Sequence, residues 1–208
     1  MNRAEKEKRG FTLAELLVVV AIIGVLVAIS IPIFTTQLEK ARRSVDLYNA
    51  RAVESVLVNA INDGSVQLPA GVKDDTSGIW VTIKREGKGW PSSYGNPSGT
   101  VFYGASENTV INGQRKTSAW NTSDNELPKI VKAAGLDDLK INSRRSDSGK
   151  PDGWDWIVIQ VGYRWQNGRD TKPVLFTQIY SGFEGGPSGA HDYNHDKNCI
   201  GKLIGDGQ

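Results

Sequence analysis

The chain has 208 residues, with 25 Lys and Arg against 23 Asp and Glu and a formal charge of +2. So small a net charge leaves little repulsion between copies of the chain. A single cysteine, Cys199, excludes an intrachain disulfide.

The first element is a short charged leader, Met1–Gly10, carrying Arg3, Lys6, Lys8 and Arg9 against Glu5 and Glu7. A long apolar segment follows at once. Its unbroken run, Leu16–Ile29, is 14 residues, while Phe11–Phe34 gives 24 positions, with Ser30 and Pro32 the interruptions late in the run. The shorter count suits the apolar region of a secretory signal, with Ala28-Ile29-Ser30 imitating a cleavage site. The longer count is enough to cross a bilayer as a plain anchor. Neither reading explains Glu15, an acid at the entrance of the segment, since a charge buried in a membrane costs about 2.5–3.5 kcal/mol.

Gly10-Phe11-Thr12-Leu13-Ala14-Glu15-Leu16, followed by Val18–Gly24 and Pro32, resembles the N-terminus of a type IV prepilin. The likeness covers about 25 residues and combines a cleavage junction, the spacing of the acid, the apolar run and the proline. Ala14 departs mildly from it, a larger aliphatic residue being commoner there. The resemblance implies that a prepilin peptidase cuts after Gly10 and that the new amine of Phe11 is N-methylated. Gly10 suits this, because a residue without Cβ lets a protease approach the backbone. Basic residues hold the leader in the cytoplasm and send the rest outward. Loss of the leader, itself +2, leaves a mature subunit whose side chains sum to zero.

Glu15 then has a partner. Near the membrane boundary it reaches headgroups and water. Inside a bundle of such helices that escape closes, and an unpaired buried charge costs several kcal/mol. The Phe11 amine of a neighbouring subunit would satisfy it and set the axial register of a fibre. Pro32 removes one helical hydrogen bond. The resemblance implies a bend or a locally melted stretch there in the filament, with Gly24 helping; the alternative is that Pro32 merely tilts the head relative to the anchor.

Helical spacing continues beyond the membrane. Leu38, Ala41, Val45, Tyr48, Ala52, Val56 and Ala60 recur every three or four residues, predicting a core-facing stripe. Asp46 and its charged neighbours lie off that stripe. Asp63-Gly64-Ser65 is a stop signal. A single helix from Phe11 to Asn62 would be about 78 Å long.

Residues 65–208 hold all six Trp and seven of the eight Pro, and with the second half of the helix they are enough for one ordinary core. Residues 80–84 and 100–104 read as short strands. Ser123-Asp124-Asn125-Glu126 resembles a capping box that starts a short helix ending near Gly135, with Pro128 in its first turn. The strongest strands are 154–165 and 173–181, rich in β-branched and aromatic residues, with a turn at Asn167-Gly168. The fold expected is α+β, the type IV pilin fold: a long N-terminal helix packed on an antiparallel sheet. Its parts are the removable leader 1–10, the apolar polymerisation half 11–34, the amphipathic half 35–64 and the head 65–208. Within the head an insert covers 65–150, the sheet 154–181 and a C-terminal segment 182–208. Many pilins tie the C-terminal segment to the head with a disulfide, so the lone Cys199 departs from that pattern and the resemblance is weak here; what this region resembles most is a Gram-positive, clostridial-type major pilin. Cys199 is expected to behave as a partly buried small hydrophobe, an intersubunit bridge being the alternative.

No chemistry of catalysis is legible. There is no Cys/His/Asn arrangement, nucleophile elbow or phosphate-cradling glycine motif, so no enzyme, catalytic residue or cofactor is expected. His191-Asp192-Tyr193-Asn194-His195-Asp196 is the one cluster resembling a metal site, but it follows a Gly/Pro-rich loop and reads as solvated, with no metal assigned. Asn121-Thr122-Ser123 fits the N-glycosylation pattern, a weak signal. Trp156 reads as core, Trp90 as an exposed contact.

The function implied is a structural subunit of a type IV pilus, assembled into an extracellular filament for adhesion, surface motility or biofilm formation. Its partners would be copies of itself, the prepilin peptidase, an assembly ATPase, a platform protein and minor pilins. The precursor would cross the cytoplasmic membrane once, N-terminus in and head out. A pseudopilin of a secretion or DNA-uptake system, or a membrane-anchored enzyme, are the rival classes.

Overall fold

The apolar run and the amphipathic pattern behind it form one helix, α1, Leu13–Asn62. The computed structural model describes residues 10–69, 76–90, 99–115, 126–136, 138–144, 154–164 and 173–182. Leader residues 1–9, Asn121–Asn125, the turn at Asn167-Gly168, the His191–Asp196 loop and Cys199 lie outside them. The chain divides into two compact units, Met1–Glu39 and Lys40–Gln208.

In the first unit every residue from Gly10 to Ile29 is exposed in the single chain. Leu, Val and Ile point outward on all sides, and among the described residues α1 is the helix long and apolar enough to cross a membrane.

In the second unit α1 buries Asp46, Ala50, Val53, Leu57 and Ala60, again at spacings of three and four. This is not the stripe that composition predicts. Of those seven residues only Ala60 is buried, while Leu38, Val45 and Tyr48 are exposed, Tyr48 by 72%. The two stripes share a period, so periodicity alone does not choose between them. Small side chains at Ala50 and Ala60 suit a helix pressed on a sheet. A buried carboxylate at Asp46 is tolerable because its oxygens are hydrogen-bonded.

That sheet has four antiparallel strands: β2 Thr76–Lys84, β3 Val101–Ala105, β6 Trp156–Arg164 and β7 Val174–Gly182, in the order β3-β2-β6-β7. The α+β pilin arrangement expected from sequence is therefore present. β2 begins four residues before the predicted run, and β3, β6 and β7 match their runs within two residues at each end.

Ile79, Val81, Ile83, Ile157, Ile159, Val161 and Ile179 form a core with Val53 and Leu57 of α1. Residues pointing the other way form a second cluster: Trp80, Phe102, Trp156, Val158 and Tyr180, with Trp90 packed against it. Burial on both faces explains why β2 and β6 read as nearly continuous apolar runs rather than alternating ones. Trp156 is core, as expected. Trp90 is not an exposed contact: its ring meets Phe102 edge-on at 6.1 Å, and Lys84 Nζ sits 5.2 Å from its centroid.

Two glycines seat the tryptophans. Gly104 faces Trp80 across β2 and β3, and Gly182 faces Trp156 across β6 and β7. A Cβ at either glycine would land inside the facing indole.

The remaining elements are short. β1 Val66–Gln67, β4 Val110–Ile111 and β5 Gln114–Arg115 form a small sheet in the order β1-β4-β5. Asn112 and Gly113 close the β4–β5 hairpin with φ of 48° and 79°, the conformation a two-residue primed turn requires. Helix α2, Leu127–Ala133, has Glu126 at its N-cap with no side-chain cap bond; the Glu126 carboxylate meets Lys129 at 2.8 Å, and the predicted cap residue Ser123 lies outside the described residues.

Candidate assembly site at the start of the long helix

Four sequence positions point to this end of the molecule: Gly10, Phe11, Glu15 and Pro32. Phe11 stands 88% exposed just before α1. Thr12 is the last residue outside the helix, and Glu15 lies in its first turn. The Thr12 backbone N–H donates to Glu15 Oε2 at 2.8 Å, and the Thr12 hydroxyl donates to the same oxygen at 2.8 Å. In return the Glu15 backbone N–H donates to Thr12 Oγ1 at 3.3 Å. This reciprocal pair is a capping box, and it satisfies donors that a helix N-terminus otherwise leaves open. Glu15 Oε1 accepts no hydrogen bond among the described residues.

The sequence signal for Thr12 is the T-x-x-E spacing, a local signature that a reading based on the cost of the charge passes over. The acid is thus placed twice over. It caps its own helix through one oxygen, and the other is open at the entrance of the apolar segment. A negative charge here also complements the positive end of the helix dipole.

Pro32 lies inside α1, which is helical through it in the single chain. Its surroundings are polar only toward the helix itself. The Ser30 hydroxyl donates to Leu26 O at 2.7 Å, and those of Thr35 and Thr36 donate to Pro32 O at 3.0 and 2.9 Å. Hydroxyls turned back onto their own helix leave an apolar outer surface and favour bending. A Cβ at Gly24 would meet nothing within 4 Å, so no steric contact in the single chain demands glycine there.

A second cluster lies in the other unit. Asp46, 1% exposed, accepts hydrogen bonds from Asn142 N at 2.6 Å, Asn142 Nδ2 at 3.1 Å and Ser143 N at 3.0 Å. Ser143 in turn accepts from the Arg85 guanidinium at its carbonyl, and at its hydroxyl at 3.2 Å. Arg85 also donates to Trp154 O at 2.7 Å and lies 3.5 Å from Asp155 Oδ1. Arg43 sits 5.3 Å over the Trp154 ring. These contacts tie α1, the end of β2 and the approach to β6 together. They are structural; among the described residues no three His, Cys, Asp or Glu side chains converge as a metal site would need.

Residues 6–31 match the family model for the prokaryotic N-terminal methylation motif. Two fimbrial proteins of Pseudomonas aeruginosa are each 32% identical over 146 residues, covering 61% of this chain and 92% of theirs. The chain belongs to the type IV pilin family. Fimbrial protein EcpB of Eikenella corrodens is 39% identical over 72 residues, 29% of this pilin and 45% of its own length. No solved structure matches. These relatives lend no support to a clostridial kinship. As a pilin the chain is a structural fimbrial subunit and not an enzyme. Membership implies processing by a prepilin peptidase, anchoring through the apolar helix and a filament built of pilin subunits.

Proposed function

We propose that this pilin is a major subunit that polymerises through α1 into an extracellular filament serving adhesion, surface motility or biofilm formation. The peptidase cuts after Gly10, and Phe11 becomes the N-methylated first residue. Before assembly the precursor crosses the cytoplasmic membrane once, N-terminus inside and head outside. An assembly ATPase and a platform protein supply the work of extraction, and minor pilins join the same fibre.

One observation carries this reading: Glu15 keeps one carboxylate oxygen open at the mouth of a helix whose apolar side chains are exposed all round. In lipid that oxygen reaches the interface. Within a bundle of helices the positive amine of a neighbour's Phe11 neutralises it, so each subunit is accepted at one axial position. The exposed Leu38, Val45 and Tyr48 extend the apolar surface available to neighbouring copies.

The test is Glu15→Ala in the producing cell. The variant should remain in the membrane fraction and lose its filaments. Normal filaments from it would overturn the reading. Mass spectrometry of the mature subunit should find methylated Phe11 at the N-terminus.

A further inference from the structure

We propose that Thr12 is a positioning residue for assembly, holding the Glu15 carboxylate so that Oε1 faces the incoming amine. The inference rests on the pairing proposed above and adds a second residue to it. An unrestrained Glu side chain explores many rotamers, and pairing it with a partner must overcome that freedom. Here two donors on Thr12, its amide and its hydroxyl, meet at Oε2, and the hydroxyl also accepts from the Glu15 amide. The carboxylate is therefore fixed at one oxygen and available at the other before any partner arrives.

The geometry is independent of processing. Cleavage after Gly10 frees the Phe11 nitrogen, while the Phe11–Thr12 peptide bond survives, so every atom of the capping box remains in place. The same cut that creates the cation leaves the anion already oriented. Preorganisation of this kind strengthens association by removing an ordering cost.

Thr12→Val removes the hydroxyl at nearly constant shape, Thr12→Gly removes it while keeping a residue about as good as Thr at an N-cap, and Thr12→Ser retains it. Each is expressed as full-length protein beside Glu15→Ala. The readouts are sheared filament yield, membrane-fraction pilin and the mass of the N-terminus. Val and Gly are expected to lower filament yield about fivefold or more, the size of one lost hydrogen bond to the Glu15 carboxylate per subunit, with leader removal and membrane levels unchanged. Ser is expected to restore the yield. If Thr12 merely starts the helix, Gly assembles like the parent, and the proposal is overturned. A yield loss accompanied by uncut precursor overturns it too, since the hydroxyl would then act at cleavage. Normal Thr12 variants beside a defective Glu15→Ala sink this inference alone, whereas a normal Glu15→Ala removes the pairing beneath it.

Discussion

Asp46 and Asn142 are 96 residues apart in sequence, and the carboxylate of one accepts the backbone N–H of the other at 2.6 Å. That bond ties the inward face of α1, which also buries Ala50, Val53, Leu57 and Ala60, to a distant part of the chain. A carboxylate at this position is buried because three N–H groups converge on it, and one of them, from Ser143, belongs to a residue that also engages Arg85. Asp46→Ala deprives the backbone N–H groups of Asn142 and Ser143 of their acceptor, while Asn142 Nδ2 keeps the Lys140 carbonyl at 3.2 Å. A loss of about 2–4 kcal/mol is expected, given about 1–3 kcal/mol for each unsatisfied buried group and partial relaxation. Urea unfolding of the full chain in detergent micelles measures it; a change under half a kcal/mol would remove Asp46 as an anchor.

The choice of stripe on α1 has its own test. Leu57→Ala should cost about 2–5 kcal/mol, as truncation of a fully buried leucine does. Tyr48→Ala should stay within about 0.5 kcal/mol, as exposed positions do. Equal losses at the two positions would contradict the inward face described above.

Gly104 must remain without a side chain, because the Trp80 indole occupies the space a Cβ would need. Gly104→Ala should cost about 1–3 kcal/mol through overpacking and shift the tryptophan fluorescence as Trp80 moves. A variant with parental stability and emission would show that the cluster of Trp80, Phe102 and Trp156 yields easily.

Charge and cap can be separated at Glu15. Glutamine also serves at the third position of a capping box, so Glu15→Gln keeps the bond to Thr12 and discards the charge. Filament yield should fall for Gln as it does for Ala. Filaments from Gln but not Ala would assign the role of Glu15 to the cap rather than to an ion pair.

The end of α1 is sensitive to acid. Hydrogen bonds from Ser65, its hydroxyl first and then its backbone N–H, hold the Asp63 carboxyl below the ordinary aspartate value. The Ser65 N–H lies 2.8 Å from Asp63 Oδ1. A depressed folded value means the turn is stabilised above the ordinary aspartate range, and that contribution is lost as pH falls through the depressed one. A carboxyl titration followed by NMR should give a midpoint below that of an unstructured aspartate. The opposite applies to Lys140, whose bond to Asp138 and the charge beside it raise the ammonium above its usual value, so that its contribution fades only at strongly alkaline pH.

Local physics determined much of this protein from sequence. A run of apolar residues from Phe11 to Phe34 is long enough to cross a bilayer, where a single segment satisfies its backbone within itself as a helix. The β-branched and aromatic residues of 156–164 and 174–182 prefer extended backbone, and Asn112-Gly113 meets the positive φ of a tight hairpin. Glu15 and Pro32 stand out because each is costly where it lies, and the Thr12 partnership is equally local, spanning one helical turn. Tertiary structure alone decided which of two equally periodic stripes of α1 faces the sheet, and it admitted Asp46 to the inner one. It also seated Trp80 on Gly104 and turned Trp90 inward against Phe102. Those choices depend on partners tens of residues away, whose donors and vacant volumes exist only once the chain has brought them together.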